Sequence, residues 1–168
     1  MKIRMCFLTT VVASAILLVS CASSGSISSN NKNHEKPDFD NIIGKTWQLV
    51  KVETESNKNI ELDRNQMNTM NQGNMFTLLF TNDKISGKAA PNNYFGQIID
   101  QADGKIVFGQ IAATKMALIT DIKNISLNED EYFHLLQNTF SWGITDNCLI
   151  LYTANNANEK VKLIYSSN

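Results

Sequence analysis

The sequence has 168 residues, of which 43% are hydrophobic and 18% are charged. This composition is too apolar for a disordered chain and too poor in Lys and Arg for a nucleic-acid-binding protein. Loss of the first 20 residues, with Lys2 and Arg4, would leave 13 basic residues (15 less these two) against 16 acidic ones, a net charge of −3. The composition therefore predicts one globular domain that does not bind nucleic acid.

The N-terminus has the pattern of a secretory signal peptide. Residues 1–4 carry two basic side chains, and Phe7–Leu18 is an apolar run of about a dozen residues. That run is shorter than the roughly 20 apolar residues of a transmembrane helix. The next residues, Leu18–Cys21, resemble the lipobox of bacterial lipoproteins, which implies cleavage after Ser20 and acylation of Cys21. The alternative is an ordinary secretory signal with a cysteine there by chance.

Residues 21–41 contain many small polar side chains and little that could be buried, and they indicate a flexible tether. By resemblance to Gram-negative lipoproteins, Ala22 after the acylated cysteine favours the outer membrane, facing the periplasm. With Cys6 removed and Cys21 acylated, Cys148 is the one thiol left in the folded domain. It cannot form an internal disulfide, and we expect it to be buried and unreactive.

Short strands are predicted through residues 42–168, which form the folded domain. The polar stretch 53–74 predicts a long loop with room for a helical turn. The pair Asp103-Gly104 predicts a turn, and Asp146-Asn147 predicts a tight hairpin. The predicted strands are 46–52, 75–81, 84–88, 94–99, 105–109, 140–145, 148–153 and 160–165.

One helix is specified more clearly than any strand. Asn128 suits the N-cap, and Glu131 three residues later completes a capping box. We interpret the acidic residues 129–131 as a helix start at the positive end of the helix dipole, rather than as a catalytic carboxylate cluster. An apolar stripe predicts packing against a sheet and consists of Tyr132, Leu135 and Leu136. The fold predicted is mainly β, with an antiparallel sheet closing on this helix.

No established catalytic motif occurs in the sequence. HExxH, CxxC, GxSxG, GxxxxGK[ST] and GxGxxG are all absent. His34 falls in the predicted tether, and His134 lies on the helix without partners at metal-ligand spacing. We therefore expect a protein that is not an enzyme and that uses no cofactor and no metal.

Two other segments combine small and turn-forming residues. Ser86–Gly96 lies between two predicted strands, and Gly109–Ala117 follows another. Together with positions elsewhere, they resemble in order the pattern of the META domain family, which includes HslJ-like heat-shock lipoproteins. The resemblance covers about 120 residues. Its other positions are Trp47, Leu49, Glu131–Leu136 and Leu149–Leu151.

The family resemblance implies a strongly curved antiparallel sheet or partial barrel of about eight strands, with one helix in its concave side. It implies no biochemical activity, because the family is of unknown function and is linked to the cell envelope, heat induction and antibiotic resistance. Many members have two cysteines where this chain has Pro91 and Leu118. Their joint absence implies that the two positions lie close together and are bridged in relatives.

Four polar residues of these segments are candidate binding residues: Asn92, Asn93, Thr114 and Lys115. The alternative role is turn formation, because Asn tolerates a left-handed backbone and a Thr hydroxyl bonds nearby backbone. We expect a non-catalytic envelope lipoprotein, an envelope-stress or binding module. Its expected partners are the membrane, through the lipid on Cys21, and another protein or component of the cell envelope.

A lipocalin-like carrier of a small hydrophobic ligand is the alternative function. A curved sheet can enclose such a ligand, and Phe80, Phe108 and Leu136 would line the space beneath the helix. An enclosed cavity would favour a carrier, whereas a filled interior would favour a binding module. An enzyme would instead need a cleft with converging titratable groups of shifted pKa.

Overall fold

The computed structural model describes residues 38–102, 104–116 and 126–167. Over these ranges the chain forms strands and helices that pack around one hydrophobic core. In chain order the elements are β1 (Thr46–Thr54), β2 (Ile60–Glu61), α1 (Arg64–Thr69), β3 (Thr77–Phe80), β4 (Lys84–Lys88), β5 (Asn93–Ala102), β6 (Lys105–Phe108), β7 (Ala112–Ala113), α2 (Glu129–Gln137), β8 (Ser141–Thr145), β9 (Cys148–Ala154) and β10 (Lys160–Ser167).

Eight of the strands close into an antiparallel barrel, in the order β1-β10-β9-β8-β6-β5-β4-β3 and back to β1. The two short strands lie outside this ring, where β2 pairs with β1 and β7 pairs with β5. Closure pairs the edges that an open sheet would expose. The predicted curved sheet of about eight strands is confirmed, and it goes as far as full closure.

Helix α2 packs on the inside of the barrel against β6 and β9. Its N-cap is Asn128, whose side-chain oxygen accepts a hydrogen bond from the backbone N–H of Glu131 at 2.8 Å. The whole predicted stripe of Tyr132, Leu135 and Leu136 is buried. The helix prediction is confirmed because both of its signals, the cap and the stripe, are local in sequence. Neither α1 nor α2 is long and apolar enough to cross a membrane, and these are the helices of the described ranges.

The polar stretch 53–74 holds more structure than a loop. It contains β2 and the six-residue helix α1, which Asp63 caps by accepting hydrogen bonds from the backbone N–H groups of Asn65 and Gln66. Its apolar contribution to the core is small and comes from Leu62 and Met67. Two buried residues are too few to give a periodic pattern, so the sequence indicated only a helical turn.

The N-terminal end of the described chain is part of the fold. Phe39 lies in a 3₁₀ turn, and its ring stands edge-on at 5.8 Å from the ring centroids of both Phe80 and Trp142. Ile42 is fully buried, and its carbonyl accepts a hydrogen bond from the indole of Trp47 at 3.1 Å. Packing therefore begins a few residues before the predicted tether ends at residue 41. The predicted signal peptide and Cys21 lie outside the described residues.

Cys148 is half-buried, not buried as the sequence suggested. It begins β9, along which buried and half-buried residues alternate. Leu149 and Leu151 take the fully buried, inward positions. Because successive side chains of a strand point to opposite faces, Cys148 is left on the outer face.

Candidate functional site

Asn92 is the centre of the predicted binding residues, and it is only 5% exposed. Its side-chain oxygen accepts hydrogen bonds from the Thr114 hydroxyl at 2.9 Å and the backbone N–H of Met116 at 2.7 Å. Its amide nitrogen donates to the Glu129 carboxylate at 2.6 Å and to the carbonyl of Met116 at 3.4 Å. These four bonds are the full capacity of an asparagine side chain. Asn92 therefore holds the turn before β5, the segment after β7 and the start of α2 together.

The backbone of Asn92 strengthens the same junction. Its N–H donates to the second carboxylate oxygen of Glu129 at 3.0 Å, and its carbonyl accepts from the N–H of Ala89 at 2.8 Å. The sequence had assigned Glu129 to the helix start, and the contact with Asn92 is a second role for it. No sequence signal connects these two residues, which are 37 positions apart.

The other three predicted binding residues, Thr114, Asn93 and Lys115, differ in their contacts. The Thr114 hydroxyl also accepts from the backbone N–H of Asn93 at 3.2 Å, and the N–H of Thr114 donates to the Asn93 carbonyl at 3.0 Å. The side chains of Asn93 and Lys115 are exposed. The structure thus brings Asn92 and Thr114 together by side chain and Asn93 by backbone. The predicted proximity of Pro91 and Leu118 involves a position outside the described residues.

A chain of three buried tyrosines crosses the barrel interior. The hydroxyl of Tyr132 on α2 lies 3.2 Å from that of Tyr94 on β5 and 3.1 Å from that of Tyr165 on β10. Tyr94 in turn donates to the carbonyl of Thr77 at 2.7 Å. These hydrogen bonds satisfy the polar groups that the aromatic side chains bring into the core. Strand alternation placed Tyr94 and Tyr165 inside, but the pairing of the hydroxyls depends on contacts between distant elements.

Two glycines of the motif segments leave room for this interior. A Cβ on Gly87 would lie 2.0 Å from the Thr77 carbonyl oxygen and 2.8 Å from the Tyr94 hydroxyl. A Cβ on Gly96 would lie 2.7 Å from Cδ1 of Ile111. Any larger residue would therefore displace backbone or core side chains. The glycines in these segments serve the packing of the barrel rather than a ligand.

Arg64 at the start of α1 is part of the same cluster. Its guanidinium donates to the carbonyls of Met75 at 2.8 Å and Phe76 at 3.2 Å, and also to the carbonyl of Leu49. Phe76 has a φ of +51°, a conformation that bulky residues rarely adopt. Its carbonyl also accepts from the N–H of Leu49 at 3.0 Å, so two donors hold this backbone in place. The half-buried Arg64 thus acts as a clamp on three carbonyls near the tyrosines.

Burial sets the protonation of this cluster. Desolvation raises the pKa of Tyr132 to about 12, although its hydrogen bonds with Tyr165 and Tyr94 and the nearby Arg64 act in the opposite direction. Desolvation also raises the pKa of Tyr94 and Tyr165 well above the usual value. It lowers the pKa of Arg64 to about 10. At neutral pH the tyrosines are therefore uncharged and the arginine is a cation.

The other groups with a shifted pKa lie on the surface. A hydrogen bond with Glu53, whose carboxylate is 2.9 Å away, raises the pKa of Lys51 and lowers that of Glu53. Hydrogen bonds from Ser56 lower the pKa of Glu159. Across residues 38–102, 104–116 and 126–167, no three His, Cys, Asp or Glu side chains meet as metal ligands would. The ring nitrogens of His134 lie 3.0 and 3.3 Å from the Asn138 amide nitrogen.

The residues named for a carrier cavity lie in the packed core. Phe80, Phe108 and Leu136 are all buried. The ring centroid of Phe80 lies 6.2 Å from that of Phe108 and 5.8 Å from that of Phe39, which is direct contact for aromatic side chains. Side chains therefore fill the space between these rings.

The fold and the two interior networks define a small closed β barrel that buries the apolar face of a helix and bonds that helix to its strands through Asn92 and the tyrosines. The sequence model of the META domain family matches residues 40–164. The chain belongs to the META domain family, as its motif segments predicted.

Two solved structures are similar to this chain at low sequence identity. A protein from Burkholderia xenovorans, solved by NMR, is 18% identical with a TM-score of 0.54, over 77% of this chain and 85% of that one. A crystal structure of a duf4847 family protein from Bacteroides vulgatus is 16% identical with a TM-score of 0.47, over 77% and 96% of the two chains. A comparison with curated proteins gives no match. The similarity to the Burkholderia xenovorans protein supports the fold and says nothing about activity.

We predict that Asn92→Ala lowers the free energy of unfolding by about 1–3 kcal/mol, because it removes one donor from the half-buried Glu129 carboxylate and the acceptor of the Thr114 hydroxyl and of the Met116 N–H. Urea unfolding followed by circular dichroism measures the change. The matched control is Asn93→Ala, whose exposed side chain should leave stability within about 0.5 kcal/mol of the native value. A variant at Asn92 that keeps its stability but loses a binding partner would show that the residue is a recognition residue.

We predict that stability falls as the pH rises above 10. The folded-state pKa values of the three tyrosines are raised, so their contribution is complete below the unfolded pKa of about 10 and is lost as the pH rises through the folded values. Near pH 11 the loss is roughly 1 kcal/mol for each tyrosine. Arg64 acts in the opposite direction because its folded pKa is lowered, but one group does not offset three.

Urea unfolding at a series of pH values tests this dependence. A Tyr165→Phe variant removes one ionisable phenol from the cluster, so its stability should fall less steeply between pH 10 and 12. Tyr152→Phe is the control, because Tyr152 is half-buried and lies outside the cluster. Equal slopes for the two variants would contradict the prediction.

Proposed function

We propose that this META-domain protein is a non-catalytic lipoprotein of the bacterial cell envelope, anchored through Cys21, that binds another envelope component. The observation that carries the proposal is the saturation of Asn92, the best candidate for a site residue, by bonds within the fold. A side chain with no hydrogen-bonding capacity left is not a recognition group. Binding is therefore assigned to the outer surface of the barrel.

The titratable groups support a non-catalytic role. The strongest shifts of pKa fall on the three buried tyrosines, where no substrate can reach them, and on Arg64, whose guanidinium is bonded to backbone carbonyls. The shifts on the surface come from ion pairs and hydrogen bonds of the ordinary structural kind, such as that between Lys51 and Glu53. An acid–base site would combine shifted groups with a cleft. The packed core around Phe80 and Phe108 likewise supports a binding module over a carrier.

The place of action follows from the N-terminal sequence. Residues 18–21 have the lipobox pattern, and Ala22 follows the cysteine. Two or three acyl chains hold a protein on a bilayer essentially permanently, at about 0.8 kcal/mol for each buried CH₂. We assign the protein to the outer membrane, facing the periplasm, where an envelope-stress role would be exercised.

The anchor is tested by Cys21→Ser. We expect the native protein to incorporate labelled palmitate and to sediment with membranes, and the variant to do neither. Cys148→Ser is the matched control, because Cys148 lies on the outer face of the domain and should not carry the lipid. Palmitate that remains on the Cys21 variant would contradict the assignment.

Binding is tested by crosslinking in intact cells. One photoreactive residue is placed at an outward position on each of several strands, for example at Gln97 on β5, Thr145 on β8 and Lys162 on β10, which are all exposed. We expect adjoining positions to give the same adduct, since a specific interface covers one patch. The buried Leu149 serves as the negative control. Failure of every outward position to give an adduct would contradict the binding role.

A further inference from the structure

We propose that the outer face of β5 docks onto an anionic lipid surface. This "β5 face" consists of the outward side chains Asn93, Phe95, Gln97 and Ile99, flanked by Lys84 and Lys88 on β4. The inference rests on the proposed lipid anchor, and it adds a second contact with the membrane, made by the folded domain itself.

Two large apolar side chains project from this face. Phe95 is 60% exposed and Ile99 is 64% exposed, whereas Gly96 and Ile98, which lie between them on the inner side of the strand, are buried and half-buried. The outer face of an antiparallel sheet normally alternates to polar residues. The two side chains are four residues apart, or about 13 Å at the usual rise per residue, and the register of β5 shifts at Ile98–Asp100, next to the second of them. Phe95 and Ile99 are therefore two separate apolar groups on one surface, too far apart to cover each other.

The neighbouring strands leave these projections uncovered. The residues paired with Phe95 are Ser86 on β4 and Ala112 on β7, and both have small side chains. Ile99 lies beside Gly109, where a Cβ would be 3.4 Å from Cγ2 of Ile99. Among the described residues, the two partners of Phe95 and the glycine beside Ile99 are therefore too small to shield these apolar groups from a flat surface.

The charge next to the projections is positive. Lys84 pairs with Gln97 and Lys88 with Asn93, so the two lysines flank Phe95 diagonally on the same face. Two carboxylates lie near this face. The Asp83 carboxylate is 4.0 Å from Nζ of Lys84, and Asp100 forms an ion pair with Lys105.

The charges of this face sum to a net positive value. With the adjoining Asp83, Asp100 and Lys105 included, three lysines exceed two aspartates by one, whereas the mature chain carries −3. A locally basic, apolar surface on an acidic protein is complementary to anionic headgroups above an acyl region.

A lipid surface fits this face better than a second copy of the chain does. The exposed parts of one Phe and one Ile amount to no more than a few hundred Å², less than the roughly 800 Å² per partner of a stable protein interface. In a symmetric pair through β5, the lysines of the two copies would also approach each other. A bilayer has no fixed shape that the protein must match, so two separate apolar side chains can both enter it.

The proposed anchor makes a weak contact sufficient. Cys21 and Asp38 are 17 residues apart, and a chain of that length spans at most about 60 Å. A tether of this kind gives the domain an effective concentration near the bilayer in the millimolar range. An affinity for lipid that is too weak to detect with a free domain can therefore be enough to hold the tethered domain against the bilayer in one orientation.

The test places an environment-sensitive NBD probe on the β5 face of the mature chain. Cys21→Ser and Cys148→Ser leave Gln97→Cys as the labelled thiol, between Phe95 and Ile99. An N-terminal histidine tag holds the protein to phosphatidylcholine vesicles that contain nickel-chelating lipid, with or without phosphatidylglycerol. The vesicle supplies the tether, so the outcome does not depend on acylation of Cys21, which palmitate labelling tests separately.

We expect the Gln97 probe to brighten several-fold, shift to the blue and be quenched by brominated lipid when phosphatidylglycerol is present. The same probe at Lys162→Cys is the control for orientation, because β10 is four strands from β5 in either direction around the barrel. It should not respond. The response at Gln97 should weaken in high salt and on vesicles without phosphatidylglycerol.

Variants identify the groups responsible. Phe95→Ser with Ile99→Ser should abolish the response at Gln97, and both positions are exposed enough for the fold to tolerate the change. Phe140→Ser removes a different exposed aromatic residue and should leave the response intact. Equal signals at Gln97 and Lys162, or an undiminished signal in the Phe95 and Ile99 variant, would overturn the proposal. A Gln97 signal that rises with protein concentration without vesicles would overturn it in favour of a second copy.

Discussion

The hydroxyl of Tyr132 imposes the constraint on which the interior depends. Helix α2 carries this phenol into the barrel, where an unpaired hydroxyl would be costly. Tyr94 and Tyr165 supply the partners, at 3.2 and 3.1 Å. Tyr94 reaches the carbonyl of Thr77 only because Gly87 has no side chain there. A requirement that begins on the helix thus determines residues on three different strands.

The junction at Asn92 fixes the N-terminus of the same helix. Glu129 in the first turn of α2 binds both the amide and the backbone N–H of Asn92, while Tyr132 binds inside the barrel one turn later. Two polar contacts on one nine-residue helix determine its position and its rotation. The motif segments of the family are therefore explained by the placement of this helix, which leaves recognition to other surfaces.

The sequence predicts those elements whose signals are local. The cap at Asn128, the stripe from Tyr132 to Leu136 and the hairpin at Asp146-Asn147 were all read from neighbouring residues, and both hairpin residues have the positive φ that such a turn requires. The bonds between Asn92 and Glu129 and the carbonyl clamp of Arg64 join residues that are distant in the chain. Their existence depends on how the barrel closes, and no periodicity or spacing in the sequence encodes that closure.

Barrel closure also limits how this protein can meet a partner. A strand edge already paired in the ring cannot accept an added strand from another chain, so among the described strands the short outer ones, β2 and β7, offer the freest edges for strand addition. Elsewhere the contact must be made by side chains on the outer faces. Among those faces, the one formed by β5 combines exposed apolar groups with flanking lysines, whereas β10 presents the exposed Lys160 and Lys162 and no large exposed apolar residue. The chemistry of the interior is thus separated from the chemistry of binding, and the outer side chains of single strands can change without disturbing the fold.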